Sequence, residues 1–173
     1  MRKTPIVVLK FGSSVLQSEA DLPTAVHEIY RWLKEGHQVV AVVSAFGNTT
    51  DDLTRRAHSV CKQPDDLLLA ALLATGEAAS SALLGLSLNR AGIPATVLDA
   101  QQAGLCTTGP TLNSDLIAAD AASIFESLSR GVVVLPGFVG RGEQGETTLL
   151  GRGGSDLTAL FLAQQLVGSC RLV

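Results

Sequence analysis

Four short runs of continuous apolar, largely β-branched residues constrain this chain more than any other feature: "PIVVLK" (5–10), "QVVAVVSA" (38–45), "GIPATVLDA" (92–100) and "VVVLPGFVG" (132–140). None of them alternates polar with apolar residues, as a strand with one wet face would. "PIVVLK" and "QVVAVVSA" read as strands buried on both sides and the other two as further strands, which suits a parallel sheet covered on both faces. The intervening segments have helical spacing. Leu22, Val26, Ile29 and Leu33 form one apolar stripe, with Asp21 placed to cap it, Pro23 in its first turn and Gly36 as its stop. One or two helices are expected between Thr50 and Arg90. Ile117, Ala121, Ile124 and Leu128 mark another, closed by Gly131, and a last helix is expected from Ser155 to about Val167. "RGEQGETTLLG" (141–151) reads as a hairpin or flap between two short strands, and "CRLV" (170–173) starts one more strand. Strands alternating with helices predict an α/β fold, a three-layer α/β/α sandwich with a mainly parallel sheet.

In such sheets the ligand sits beyond the carboxyl ends of the strands. Here those ends are "KFGSS", "SAFGNTT" and "PGFVG", each carrying glycine plus hydroxyl or charge. Lys10 ends the first strand and precedes Gly12, Ser13 and Ser14; it either sets an ammonium over a phosphate or simply ends a strand at the surface. This is not a Walker A loop, because GxxxxGK[ST] occurs nowhere in the chain. Ser44 ends the second strand without the flanking glycines of a nucleophile elbow. Its hydroxyl and that of Thr50 suit a carboxylate or phosphoryl group, or Thr50 and Asp51 cap a helix. Glu77 interrupts the apolar run "LLLAALLATGEAASSALLGL" (67–86). A buried carboxylate there needs a cationic partner such as the ammonium of an amino acid, unless it faces water beside Ser80 and Ser81.

The densest signal is "LLGRGGSD" (149–156). Gly151, Gly153 and Gly154 surround Arg152, and Ser155 or Asp156 is suited to cap the helix that follows, whose apolar positions include Leu157, Leu160, Phe161 and Leu166. A guanidinium beside a helix N-terminus suits a carboxylate or phosphate. Asp156 is placed to position Lys10 or a metal-bound water, or else to pair with Arg152.

A net charge of −3 and 4% aromatic residues leave no cationic footprint for nucleic acid. Cys61, Cys106 and Cys170 lack metal spacing and are read as reduced core thiols of a cytoplasmic protein. His27, His37 and His58 have no companions at ligand spacing, so no metal site is expected, and Trp32 is read as packing. The apolar run after Met1-Arg2-Lys3 is too short for a signal peptide, and Thr75, Gly76, Glu77, Ser80 and Ser81 break 67–86 before it reaches a membrane span. A buried helix is expected there.

With these residues in hand, the chain resembles the amino-acid kinase superfamily and, within it, the aspartokinases. "VVLKFGSSVL" looks like the family's opening lysine–glycine motif, "VVSAFGNTTDDL" is similar to its second-strand motif and "TGEAASSALL" to its glycine–glutamate helix. "VVVLPGFVGRGEQGETTLLGRGGSDLTALFLA" is very similar to the long aspartokinase signature. The match runs over nearly the whole chain. It implies an amino-acid kinase-like fold and ATP- and Mg²⁺-dependent transfer of a phosphoryl group to the side-chain carboxylate of aspartate, the opening step of the aspartate-family amino-acid pathway. By the same resemblance Lys10 and Asp156 are catalytic, and Gly12, Ser13, Ser14 and Ser44 contact phosphates. Thr50, Glu77, Phe138, Arg152, Gly153, Gly154 and Ser155 hold the amino acid. The acceptor carboxylate is itself the nucleophile, so alignment and charge neutralisation carry the catalysis.

Two departures from the pattern stand out. Aspartokinases usually carry a second glycine and a threonine where this chain has Ser13 and Ser14, and there it looks more like glutamate 5-kinase. The family's nucleotide-binding strand and loop are expected just after Val173, with regulatory domains later still. Residues 1–173 therefore correspond to the N-terminal, substrate-binding lobe of a kinase domain, a part of a longer or fused protein or of a homo-oligomer. A non-catalytic kinase-like binding or assembly module, or a kinase for another amino acid such as glutamate, are the alternatives.

Overall fold

The computed structural model describes residues 4–166 and 170–172. Its elements are β1 (Ile6–Phe11), a 3-10 turn (Glu19–Asp21), α1 (Leu22–Lys34), β2 (Gln38–Val43), α2 (Thr49–Val60) and α3 (Asp66–Arg90). Then come β3 (Ala95–Val97), β4 (Cys106–Thr108), β5 (Asp115–Ala118), α4 (Ala121–Leu128), β6 (Val132–Pro136), β7 (Val139–Arg141), β8 (Thr147–Leu149), α5 (Gly154–Gln165) and β9 (Cys170–Leu172).

Five strands form a parallel sheet in the order β3-β6-β2-β1-β9. β1 and β2 run in step from Ile6 opposite Gln38 to Phe11 opposite Val43, and β6 continues the sheet with Val40 opposite Val133. Successive residues of these strands face opposite layers, so apolar residues are needed at every position. Val8, Val40, Val42, Val133 and Leu135 pack with Ile124 of α4 and Leu162 of α5. Val7, Leu9, Val39, Ala41, Val132 and Val134 pack on the other side with Ile29 and Trp32 of α1. This is the three-layer α/β/α arrangement. A second, smaller sheet, β5-β4-β7-β8, is absent from a plain alternating scheme; it splits "VVVLPGFVG" in two and contains the expected 141–151 hairpin as β7 and β8.

α3 belongs to both layers. Its first half supplies Ala70 and Leu73 to one core and its second half Leu84 and Leu88 to the other, with Gly76 and Glu77 between. Among the described residues it is the one helix long and apolar enough to cross a membrane, and it is built into both cores. Gly76 lets it pass close to β2: a Cβ there would lie 3.1 Å from the Ala45 methyl. That crossing sets Glu77 at the carboxyl end of the sheet.

Several local expectations are corrected. Ile117 lies in β5, 55% exposed, because pairing with β4 overrides its helical spacing from Ala121. α5 starts one residue earlier than expected and is capped by Gly153, whose φ of +77° neither Ser155 nor Asp156 would adopt readily. Its inward face carries Thr158, Ala159 and Leu162, whereas Leu157 and Leu160 are exposed. α1 buries Leu22, Ala25, Ile29 and Trp32, leaving Val26 and Leu33 half-buried. The Asp21 carboxylate accepts from the amides of Gln17 and Ser18 and makes no cap bond to α1. α3 exposes Leu67, Leu68 and Leu86, so it is only partly the buried helix expected. Cys61 and Cys106 are exposed, not core thiols. α5 ends at Gln165 with Leu166 as its C-cap, two residues short of the expected end near Val167, and the side chain of Cys170 and residues 1–3 lie outside the described residues.

Candidate active site

The carboxyl ends of β1, β2 and β6 open into a cleft of about 520 Å³. Lys10 and Ser13 line it from the end of β1, and Ser44, Ala45, Gly47, Asn48, Thr50 and Asp51 from the loop and first turn of α2. Glu77 closes its floor. Phe138 and the stretch Gly151–Asp156 form the facing wall. The N-terminal ends of α2 and α5 both point into this space, and the partial positive charge of a helix start favours an anionic ligand.

The Lys10 ammonium sits 3.0 Å from the Asp156 carboxylate. Asp156 therefore pairs across the cleft with Lys10 and not with Arg152. Gly12 makes room for this. A Cβ at Gly12 would fall 2.5 Å from the Lys10 Nζ, so the missing side chain leaves the ammonium its position. Arg152 is exposed and, among the described residues, has no ion pair, leaving its five N–H donors for a ligand.

Glu77 is 3% exposed. The Ala45 amide donates to its Oε1 at 3.3 Å, while Oε2 is buried without a hydrogen-bond partner. Desolvation pushes its carboxyl up to about 7, only partly offset by the hydrogen bond from the Ala45 amide. The wet setting beside Ser80 and Ser81 does not exist, since both serines are themselves buried. An unpaired buried carboxylate oxygen on a cleft floor is a place for a ligand cation.

The facing wall is tightly built. Phe138 has φ +68°, the one non-glycine residue with positive φ among those described. Such a conformation is uncommon for an aromatic residue and costs ~1–3 kcal/mol. Its amide donates to the Thr158 hydroxyl and its carbonyl accepts from the Leu150 amide. Gly137 and Gly154 leave no room for a methyl: a Cβ on the first would lie 2.6 Å from the Ser155 Oγ, and on the second 2.8 Å from the Phe138 ring.

Of the residues singled out in the sequence, the fold brings Lys10, Ser13, Ser44, Thr50, Glu77, Phe138, Arg152, Gly153, Gly154, Ser155 and Asp156 to one cleft. Gly12 lies beneath the Lys10 side chain and Ser14 is exposed off the cleft wall. Ala45, Gly47, Asn48 and Asp51 also line the cleft; they belong to the "SAFGNTTDD" turn at the end of β2, and their residue types alone do not mark them as ligand contacts. Gly47 was legible as a turn glycine: its φ is +45°, and a Cβ would meet the Gln17 carbonyl at 2.7 Å. Among the described residues no three His, Cys, Asp or Glu side chains gather as a metal site.

A family model described as the amino acid kinase family matches residues 5–173. The chain is 39% identical over 162 residues to an aspartokinase of Geobacillus stearothermophilus, covering 93% of this chain and 40% of that protein. It superposes on aspartate kinase from Synechocystis with a TM-score of 0.81 at 30% identity, covering 96% of this chain and 27% of that one. E. coli aspartokinase III, solved in complex with aspartate and ADP, matches at TM-score 0.77 and 22% identity over 96% of this chain and 48% of that one, a likeness of fold. The chain thus spans about two fifths of the length of the curated relatives it matches.

Proposed function

This chain belongs to the amino acid kinase family, and we propose on that premise that its cleft is the amino-acid-binding half of an aspartate kinase site. One observation carries the reading: Lys10, Glu77 and Arg152, from three distant segments, face a single cleft. Their charges match a dicarboxylic amino acid. Arg152 takes the α-carboxylate, the unpaired Oε2 of Glu77 takes the α-ammonium, and the side-chain carboxylate is directed toward Lys10. Phe138, Thr50, Gly153, Gly154 and Ser155 enclose the ligand. Structures of aspartokinase III hold aspartate, which supports the assignment of substrate.

The cleft also fits the phosphate end of a nucleotide. Lys10, the hydroxyls of Ser13 and Ser44 and the start of α5 are suited to phosphate oxygens, with Gly12 and Ser14 in the same loop. ATP supplies the phosphoryl group, and Mg²⁺ bound mainly through phosphate oxygens and water needs no cluster of protein carboxylates. The acceptor carboxylate attacks as it stands, so no residue must remove a proton. Lys10 neutralises charge where the phosphoryl group is passed, and Asp156 holds Lys10 in place. Cleavage of one P–O bond and formation of another yields an acyl phosphate.

The chain is then the N-terminal lobe of a kinase domain. The nucleotide-binding half and regulatory domains lie beyond residues 1–173, in a longer, fused or homo-oligomeric protein of the cytoplasm. Its product feeds the lysine, threonine and methionine branches. Calorimetry with aspartate, glutamate and ATP–Mg²⁺ on the longest natural form tests this. Aspartate is expected to bind more tightly than glutamate, and Arg152→Ala to weaken it by roughly tenfold or more. Equal aspartate affinity in both forms, or no binding by the wild type, removes the assignment. Aspartate binding without turnover in a form that includes the nucleotide half indicates a non-catalytic module.

A further inference from the structure

We infer that Thr158, which does not line the cleft, is a positioning residue that locks its two halves of wall together through one hydroxyl. Thr158 is fully buried on the second turn of α5. Its Oγ1 donates to the Gly154 carbonyl at 3.0 Å and accepts from the Phe138 amide at 3.2 Å. The first bond runs back along α5 to its first residue, next to Ser155 and two residues after Arg152. The second ties it to the β6–β7 turn, at the residue whose φ is +68°.

Strain at Phe138 persists only if its surroundings hold it. Two kinds of restraint do so. Steric interlock comes from Gly137 against Ser155 and Gly154 against Phe138, with the gaps too small for a methyl. Polar restraint comes from the Leu150 amide on the Phe138 carbonyl and from Thr158 on the Phe138 amide. The Leu150 bond joins Phe138 to the residue before Gly151, and the Thr158 hydroxyl joins it to α5 itself. Without that hydroxyl the part-buried Phe138 amide loses this partner, a cost the turn relieves by relaxing its φ and moving the ring. The consequence reaches the ligand because the Phe138 ring contacts Gly154 and shares the cleft with Arg152.

The effect on ligand rests on the aspartate reading above, whereas the restraint on Phe138 does not, and the experiment separates them. Amide hydrogen exchange, aspartate affinity and thermal stability are measured on wild type, Thr158→Val and Thr158→Ser. In the wild type the Phe138 amide exchanges slowly, and aspartate slows it further. Thr158→Val, which keeps the shape and deletes the hydroxyl, is expected to speed Phe138 exchange and weaken aspartate by roughly tenfold, while Val133 and Val134 in β6 stay protected. Thr158→Ser restores both. Lower thermal stability in Thr158→Val with unchanged Phe138 exchange and unchanged affinity makes Thr158 merely structural and overturns the inference. So does rapid Phe138 exchange in the wild type, which decides the matter even if Thr158→Val does not fold. A wild type that binds no aspartate but loses Phe138 protection in Thr158→Val rejects the substrate and retains the positioning role.

Discussion

The ammonium of Lys10 and the carboxylate of Asp156 meet at 3.0 Å across the mouth of the cleft, one at the end of β1 and the other in the first turn of α5. Their side chains are 26% and 62% exposed, so water screens the pair and its contribution to stability is under about 1 kcal/mol. Its value lies in where it holds the ammonium. Asp156→Asn is expected to leave the melting temperature nearly unchanged. In any form of the protein with kinase activity, Lys10→Met is expected to lower turnover by about two orders of magnitude or more, and Asp156→Asn by less, because it displaces the cation without deleting it. Steady-state kinetics beside calorimetric melting checks both.

Gly12 and Gly137 differ in what an added methyl would meet. A methyl on Gly12 meets only the far end of the Lys10 side chain, at 2.5 Å, so Gly12→Ala should fold normally and, on the proposed kinase reading, lose phosphoryl transfer. A methyl on Gly137 meets the Ser155 Cα at 2.8 Å as well as its side chain, so Gly137→Ala forces backbone apart and should cost roughly 1–3 kcal/mol. Denaturant melts of the two variants would show the contrast.

Glu77 makes the fold sensitive to pH. Its carboxyl is raised to about 7 from 4.5 by desolvation, so between those values the folded state keeps a proton that the unfolded chain gives up. Stability is greatest below the lower value and falls as pH rises toward the upper one, by about 3 kcal/mol if no other group intervenes. Glu77→Gln should flatten that slope in urea melts recorded from pH 5 to pH 8.

The same carboxyl links pH to ligand. An ammonium on Oε2 favours the ionised form, so aspartate should expel protons on binding near pH 6 and bind more tightly toward pH 8. Lys10, Asp51, Arg152 and Asp156 also face the cleft, and Glu77 is the buried carboxyl that desolvation raises to about 7. Calorimetry in buffers of different ionisation enthalpy counts the protons released, and Glu77→Gln should abolish the release.

Leu160 and Leu162 test the orientation of α5. Leu160 is 52% exposed and Leu162 fully buried. In the 173-residue chain Leu160→Gln should change stability by less than about 0.5 kcal/mol, and Leu162→Ala should cost about 2–5 kcal/mol. Similar losses from both would place α5 the other way round.

The sheet was legible because its cause is local: a strand buried on both faces is apolar along its covered length, and β1, β2 and β6 announce this in apolar runs of four or five. The site segments were legible for a related reason, since glycine, hydroxyl and charge collect where strands of a parallel sheet end. The residue patterns left open what depends on contacts between distant segments. They offered Lys10, a metal-bound water or Arg152 for Asp156, and packing of α5 against β1 set it beside Lys10. They offered a wet or a paired Glu77, and the passage of α3 from one core layer to the other decided for burial. They misjudged the α5 face and the fate of Ile117, because helical spacing reports only that one side is apolar. Which side is covered depends on neighbours the chain meets only after it has folded.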